Sequence, residues 1–163
     1  MKTKFDWKAA TLAGVIAGLV FLMLEMGLVA VLQGESPWGP PRMISAIIMG
    51  PDVLPPPATF DLGVISVALA IHLVLSILLG LAFGWLHSLL RMTLPTALMI
   101  GAVFGLVLYF VNFYMFTAAF PWFAMARGAI SIFAHAMFGV ALGWAYHVLA
   151  KRHGSSVEAG GNV

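Results

Sequence analysis

Four long runs of apolar residues divide the chain, at about 9–32, 62–88, 96–117 and 127–149, with polar or proline-rich stretches between them. The hydrocarbon core of a bilayer is about 30 Å thick, and roughly 20 apolar residues cross it as a helix. A backbone in lipid must satisfy its own N–H and C=O groups, which a helix does within one segment. Each run therefore predicts a membrane-spanning α-helix. The run from Leu62 to Leu86 carries one ionisable side chain, His72. The first run is too long for a signal peptide, and no small-x-small cleavage site closes it, so it reads as a span.

The stretch between the first two runs, residues 33–61, is the one sizeable loop. Prolines and glycines break it repeatedly, and Pro55-Pro56-Pro57 makes a stiff, extended piece. Arg42 to Met49 is apolar but too short to span. It predicts a short helix lying on the membrane surface or tucked between spans. Thr59 or Asp61 caps the second span. Pro95 opens the third, and Pro121-Trp122 marks the turn before the fourth. Lys151-Arg152-His153 end the last run, and the remaining tail to Val163 is polar and glycine-rich, which predicts disorder over 151–163.

Composition sharpens this picture. The chain is 62% hydrophobic and 9% charged, against about 25% charged in a soluble domain. It reads as one all-α integral membrane domain, a four-helix bundle with little mass in water. No Lys/Arg cluster points to nucleic acid. Cysteine is absent, which removes disulfides, thiolate metal sites and cysteine nucleophiles. With the N-terminus in the cytoplasm, Lys2, Lys4, Lys8, Arg91, Lys151 and Arg152 lie inside, and only Arg42 and Arg127 outside. This bias puts both termini in the cytoplasm. The tryptophans agree, with Trp7, Trp85 and Trp144 at the inner interface and Trp38 and Trp122 at the outer one.

The spans also repeat. Gly14-x3-Gly18-Leu-Val ends at Glu25, and Gly101-x3-Gly105-Leu-Val ends at Asn112. Ser36-Pro37-Trp38 echoes Phe120-Pro121-Trp122, and Gly84-Trp85-x-His87 echoes Gly143-Trp144-x2-His147. Spans one and two therefore read as a copy of spans three and four in the same orientation, which implies a pseudo-two-fold axis along the membrane normal. The GxxxG pairs suit close helix approach.

Each span carries one polar side chain at a similar depth. At 1.5 Å per residue, Glu25, Asn112 and His135 lie about 24–25 Å from the inner end of their spans, and His72 about 28 Å. An ionisable group inside a membrane is costly and marks a candidate site. Two histidines from two helices suit the axial positions of haem b, which would make His72 and His135 its ligands. Glu25, His72 and His135 together suit a transition metal, with Asn112 behind them. A third reading is a buried network in which Glu25 and Asn112 each bind a histidine and fix helix register. His87 and His147 form a second pair at the inner interface, where the simpler reading is imidazoles reached by water. Stacked haems are disfavoured, because His72 and His87 lie about 60° apart around their helix and His135 and His147 about 120°.

The proline-rich outer loop, Ile71-His72, the Gly101–Asn112 span, Pro121-Trp122 and Ala134-His135 together resemble the small four-span bacterial inner-membrane proteins of the YagU-like kind. Similar short proteins are sometimes labelled sodium:proline symporters. The resemblance implies a multi-pass inner-membrane protein with a link to acid tolerance, and it implies no catalytic residues.

No nucleophile–base pair, phosphate loop or carboxylate dyad is present, so an enzyme is the least favoured class. The chain reads first as an accessory subunit of a larger bacterial membrane assembly, respiratory ones included, with the bilayer and other membrane subunits or further copies of itself as partners. A haem or metal protein and a small proton or solute conduit are the alternatives.

Overall fold

A computed structural model describes residues 5–160, with side chains to His153. Among the described residues there is no β-strand. The helices are α1 (Trp7–Leu28), α2 (Gly39–Met49), α3 (Leu62–Leu90), α4 (Leu94–Phe110) and α5 (Ala129–Gly160). Four segments are long and apolar enough to cross a membrane: Trp7–Gln33, Leu62–Leu90, Leu94–Ala118 and Ala129–His153.

The helix starts follow local chemistry. The Asp6 carboxylate accepts from the Ala9 N–H at 3.0 Å, and Asp61 accepts from Val64 at 2.9 Å, so α1 and α3 begin just after a capping acid. Thr93 precedes Pro95 in the first turn of α4, where a missing N–H costs nothing. The C-terminal ends of α1 and α4 are less regular. α1 loosens into a π-turn over Val29–Gln33, and α4 into another over Val111–Met115. The tail expected to be disordered continues α5 as far as Gly160, and residues 161–163 lie outside the described part. Lys151, Arg152 and His153 end the apolar run but not the helix, because solvated basic side chains are good helix formers.

The four long helices pack side by side in the order α3, α1, α5, α4. α1 packs on both α3 and α5, and α5 packs on α4. α3 and α4 meet through the rings of Phe83 and Phe104, 5.5 Å apart. Small residues explain the close sides. Ala9, Ala13 and Ala17 are fully buried on α1 next to the Gly14–Gly18 stripe, in one cluster with Phe138, Leu142 and Tyr146 of α5. A methyl on Gly14 would strike the Ser76 carbonyl of α3, and one on Gly101 or Gly105 would strike the α5 backbone at Gly139 or His135. The GxxxG faces are thus spent inside the chain. α2 packs on α3, buries Ser45 and Ala46, and receives a hydrogen bond from Trp122 Nε1 to the Met43 carbonyl at 3.0 Å.

Candidate functional site

Glycine packing sets the rotation of each helix, and that rotation turns the polar side chains inward. Glu25, His72 and His135 are all buried, at 5%, 9% and 4% exposure. Asn112 is half-buried and sits in the π-turn that ends α4. Such turns re-aim side chains and recur at functional sites.

On α5, His135 Nδ1 lies 2.8 Å from the carbonyl of Ser131, one turn earlier. A carbonyl only accepts, so Nδ1 carries the proton and Nε2 is the acceptor. Asn112 Nδ2 donates to that Nε2 at 3.1 Å. The hydroxyl of Ser131 donates to Glu25 Oε1 across the α1–α5 contact. Glu25, Ser131, His135 and Asn112 therefore form one chain of contacts across three helices. The other carboxyl oxygen, Glu25 Oε2, is buried without a hydrogen-bond partner.

His72 stands apart from this chain. Its Nε2 donates to the Gly18 carbonyl of α1 at 2.8 Å, an approach possible because Gly18 has no side chain to hold the helices apart. Phe21 separates His72 from His135. Its ring stacks on His72 with centroids 5.5 Å apart and meets His135 edge-on at 4.7 Å.

The pairing of Asn112 with His135 follows the expectation of a buried network, whereas Glu25 meets Ser131 rather than a histidine. Ser131 carried no signal as a lone serine in an apolar run. Its one clue is its place four residues before His135. The donor set does not fit a haem or a metal as arranged. Both Nε2 atoms are engaged, an aromatic ring fills the space between the two imidazoles, and Glu25 lies on the far side of Ser131. Among the described residues no three His, Asp or Glu side chains gather as a metal-holding group.

At the other end of the bundle, His87 Nε2 lies 3.2 Å from His147 Nδ1, and the Tyr146 ring packs edge-on against His87 at 4.9 Å. The Asp6 N–H donates to the Tyr146 hydroxyl at 3.3 Å. His87 and His147 are thus a direct pair, with His87 buried, rather than two independent surface imidazoles.

The chain matches no family model, no curated protein and no solved structure.

Proposed function

We propose that this chain is a non-enzymatic, multi-pass protein of a bacterial inner membrane that serves as an accessory subunit of a larger membrane assembly. The observation that carries this reading is how the polar groups inside the spans are used. Four of the buried contacts tie helix to helix: His72 to Gly18, His135 to Asn112, Ser131 to Glu25, His87 to His147. Ties of this kind hold a register and leave little chemistry free for a substrate. The loop helix α2 is read as lying at the outer interface, with Ile48 and Met49 exposed to lipid headgroups. Both termini are placed in the cytoplasm on the bias of basic residues. The resemblance to YagU-like proteins bears on the inner-membrane location alone.

Contacts support two like-oriented hairpin repeats. Gly14, Gly18 and Glu25 stand 87 residues before Gly101, Gly105 and Asn112, and His72, Ser76 and Gly80 stand 63 before His135, Gly139 and Gly143. In that register the close approaches correspond. Gly18 meets His72 and Ser76, while Gly105 meets His135 and Gly139. Gly80 meets Ala10, and Gly143 meets Ala97. Gly143 thus pairs with Gly80, four residues from the Gly84 match suggested by sequence.

The test is purification in a mild detergent followed by mass and composition analysis of the intact species. A stoichiometric complex with another membrane protein is expected. A lone chain at every detergent concentration would overturn the subunit reading. A second reading, a proton-carrying role at Glu25, is favoured by the orphaned Oε2. It predicts a carboxyl infrared band that responds to pH and vanishes in Glu25→Gln.

A further inference from the structure

We propose that His87 and His147 form a proton-operated latch between α3 and α5, closed while one proton lies between their facing nitrogens and open when both imidazoles are charged. Along the row of helices α1 stands between α3 and α5. Near the end of α3 the two nevertheless meet directly. His87 Nε2 lies 3.2 Å from His147 Nδ1, and the Tyr146 ring packs edge-on against His87 at 4.9 Å. Gly84 admits that ring, since a methyl there would lie 2.7 Å from Tyr146 Cε2.

A hydrogen bond between two imidazole nitrogens needs a hydrogen on one and a bare lone pair on the other. Two neutral rings meet that condition. A first added proton enters at the far nitrogen of the donor ring and leaves the bond intact. A second must enter at the facing nitrogen of the acceptor. It sets N–H against N–H and puts two positive rings 5.4 Å apart between centroids. His87 and Tyr146 are both buried, so the His87 ring has no open side to turn into, and the helices part instead. Histidine is the side chain that changes charge near neutral pH, and protonated histidine clusters flip contacts in pH sensors.

The surrounding charges favour opening in acid. α5 brings Lys151 and Arg152, and α3 brings Arg91, all of the same sign as an imidazolium. α4 begins Leu94-Pro95-Thr96 and brings no charge. α1 brings Lys8, which lies over the Trp7 ring, and just before it Asp6. Asp6 faces His153 at 2.7 Å and the Ala9 N–H rather than the pair, and its own N–H reaches the Tyr146 hydroxyl. His153 is charged only when protonated. Acid therefore makes an ion pair of that contact while it breaks the other, and the end of α5 shifts its hold from α3 toward α1. The latch is internal to the chain and works with or without a partner subunit.

The chain has no cysteine of its own, so spin labels go only where they are placed. Labels on Leu90→Cys of α3 and Trp144→Cys of α5, both exposed positions, report the latch, and labels on Leu62→Cys and Ile132→Cys report the far ends of the same helices. Between about pH 7.5 and 5, where histidine takes up its proton, the first distance should lengthen or broaden and the second should stay fixed. An amide presents both a donor and an acceptor, so His87→Gln and His147→Asn each keep a bond to the remaining ring in either of its charge states. Each should keep the neutral-pH distance and lose the response to acid. In the unsubstituted chain labelled with 15N-histidine, the coupling between the two facing nitrogens should be present at neutral pH and vanish in acid. A coupling that persists in acid, or a label distance that does not move, would overturn the latch. So would a response that survives both amide replacements, and its disappearance in His153→Gln would assign it to the Asp6 contact instead.

Discussion

Replacing Gly80 with alanine tests the packing that positions the polar layer. The added methyl would lie 2.5 Å from the Ala10 carbonyl oxygen, 2.8 Å from the Gly14 Cα and 3.0 Å from the Gly14 nitrogen. All three are backbone atoms of α1, so no side chain can swing away. Tolerable contact begins at 3.0–3.4 Å, so the helices must part by about 0.5–0.9 Å. A gap of that size forfeits roughly a quarter to a half of the dispersion energy of each contact across it. It also stretches the 2.8 Å bond from His72 to Gly18, which lies two turns away in the same interface. Overpacking typically costs about 1–3 kcal/mol. Gly27→Ala is the control, because nothing stands within 4 Å of a methyl there. Both variants share the roughly 1 kcal/mol helix-propensity gain of alanine over glycine. In reversible unfolding from mixed detergent–SDS micelles, Gly80→Ala should therefore fall about 1–3 kcal/mol below Gly27→Ala. Equal stability of the two would refute the idea that backbone contact between α1 and α3 holds the site.

Other outcomes follow from the same geometry. Gly18→Leu and Gly105→Leu should each cost several kcal/mol in the same assay, because a branched side chain would have to enter a helix–helix contact; an unchanged unfolding curve for both would place those glycines toward lipid. Glu25→Gln should be tolerated better than Glu25→Leu, since an amide oxygen still accepts from Ser131 while leucine leaves that hydroxyl unpaired at about 1–3 kcal/mol, and Ser131→Ala combined with Glu25→Leu should show strong non-additivity. At the start of α1, burial alone would raise the Asp6 carboxyl, but the Ala9 N–H and His153 outweigh it and hold it below the usual carboxylate range. A depressed folded-state value means its contribution is present above the ordinary carboxylate range and is lost as pH falls through the lower folded value. Asp6→Asn, which keeps the cap, should flatten the acid limb of melting temperature against pH, and an unaltered acid limb would count against it.

Much of this arrangement could be read from residues. The spans were legible because hydrocarbon demands unbroken apolar length, and the level of Glu25, His72, Asn112 and His135 was legible because helical rise is fixed. The glycine stripes gave the contacts between paired helices. Partner choice was not legible, because it depends on helix rotation to within a few tens of degrees. Asn112 reaches His135, yet Glu25 at the corresponding place crosses to Ser131. The ring of Phe21 between the histidines looked like any other apolar residue of the first span. The continuation of α5 was hidden for another reason. A polar tail carries no apolar stripe, so nothing in its pattern separates a solvated helix from coil.

The split between short- and long-range ties has a consequence for how the protein is made. Everything that joins α1 to α3, including the bond from His72 to Gly18, lies within the first 90 residues. α4 and α5 likewise carry their own glycine contacts and the Asn112–His135 bond. Each pair can close as it leaves the ribosome, and in a membrane helices insert first and associate afterwards. Glu25 finds no such partner within its own pair, since Ser131 is synthesised 106 residues later. Until then its carboxyl has no designated partner, so during biosynthesis the first hairpin carries an unfilled polar position that only the arrival of the last helix closes, and a chain truncated before Ser131 displays it to whatever surveys unassembled membrane proteins.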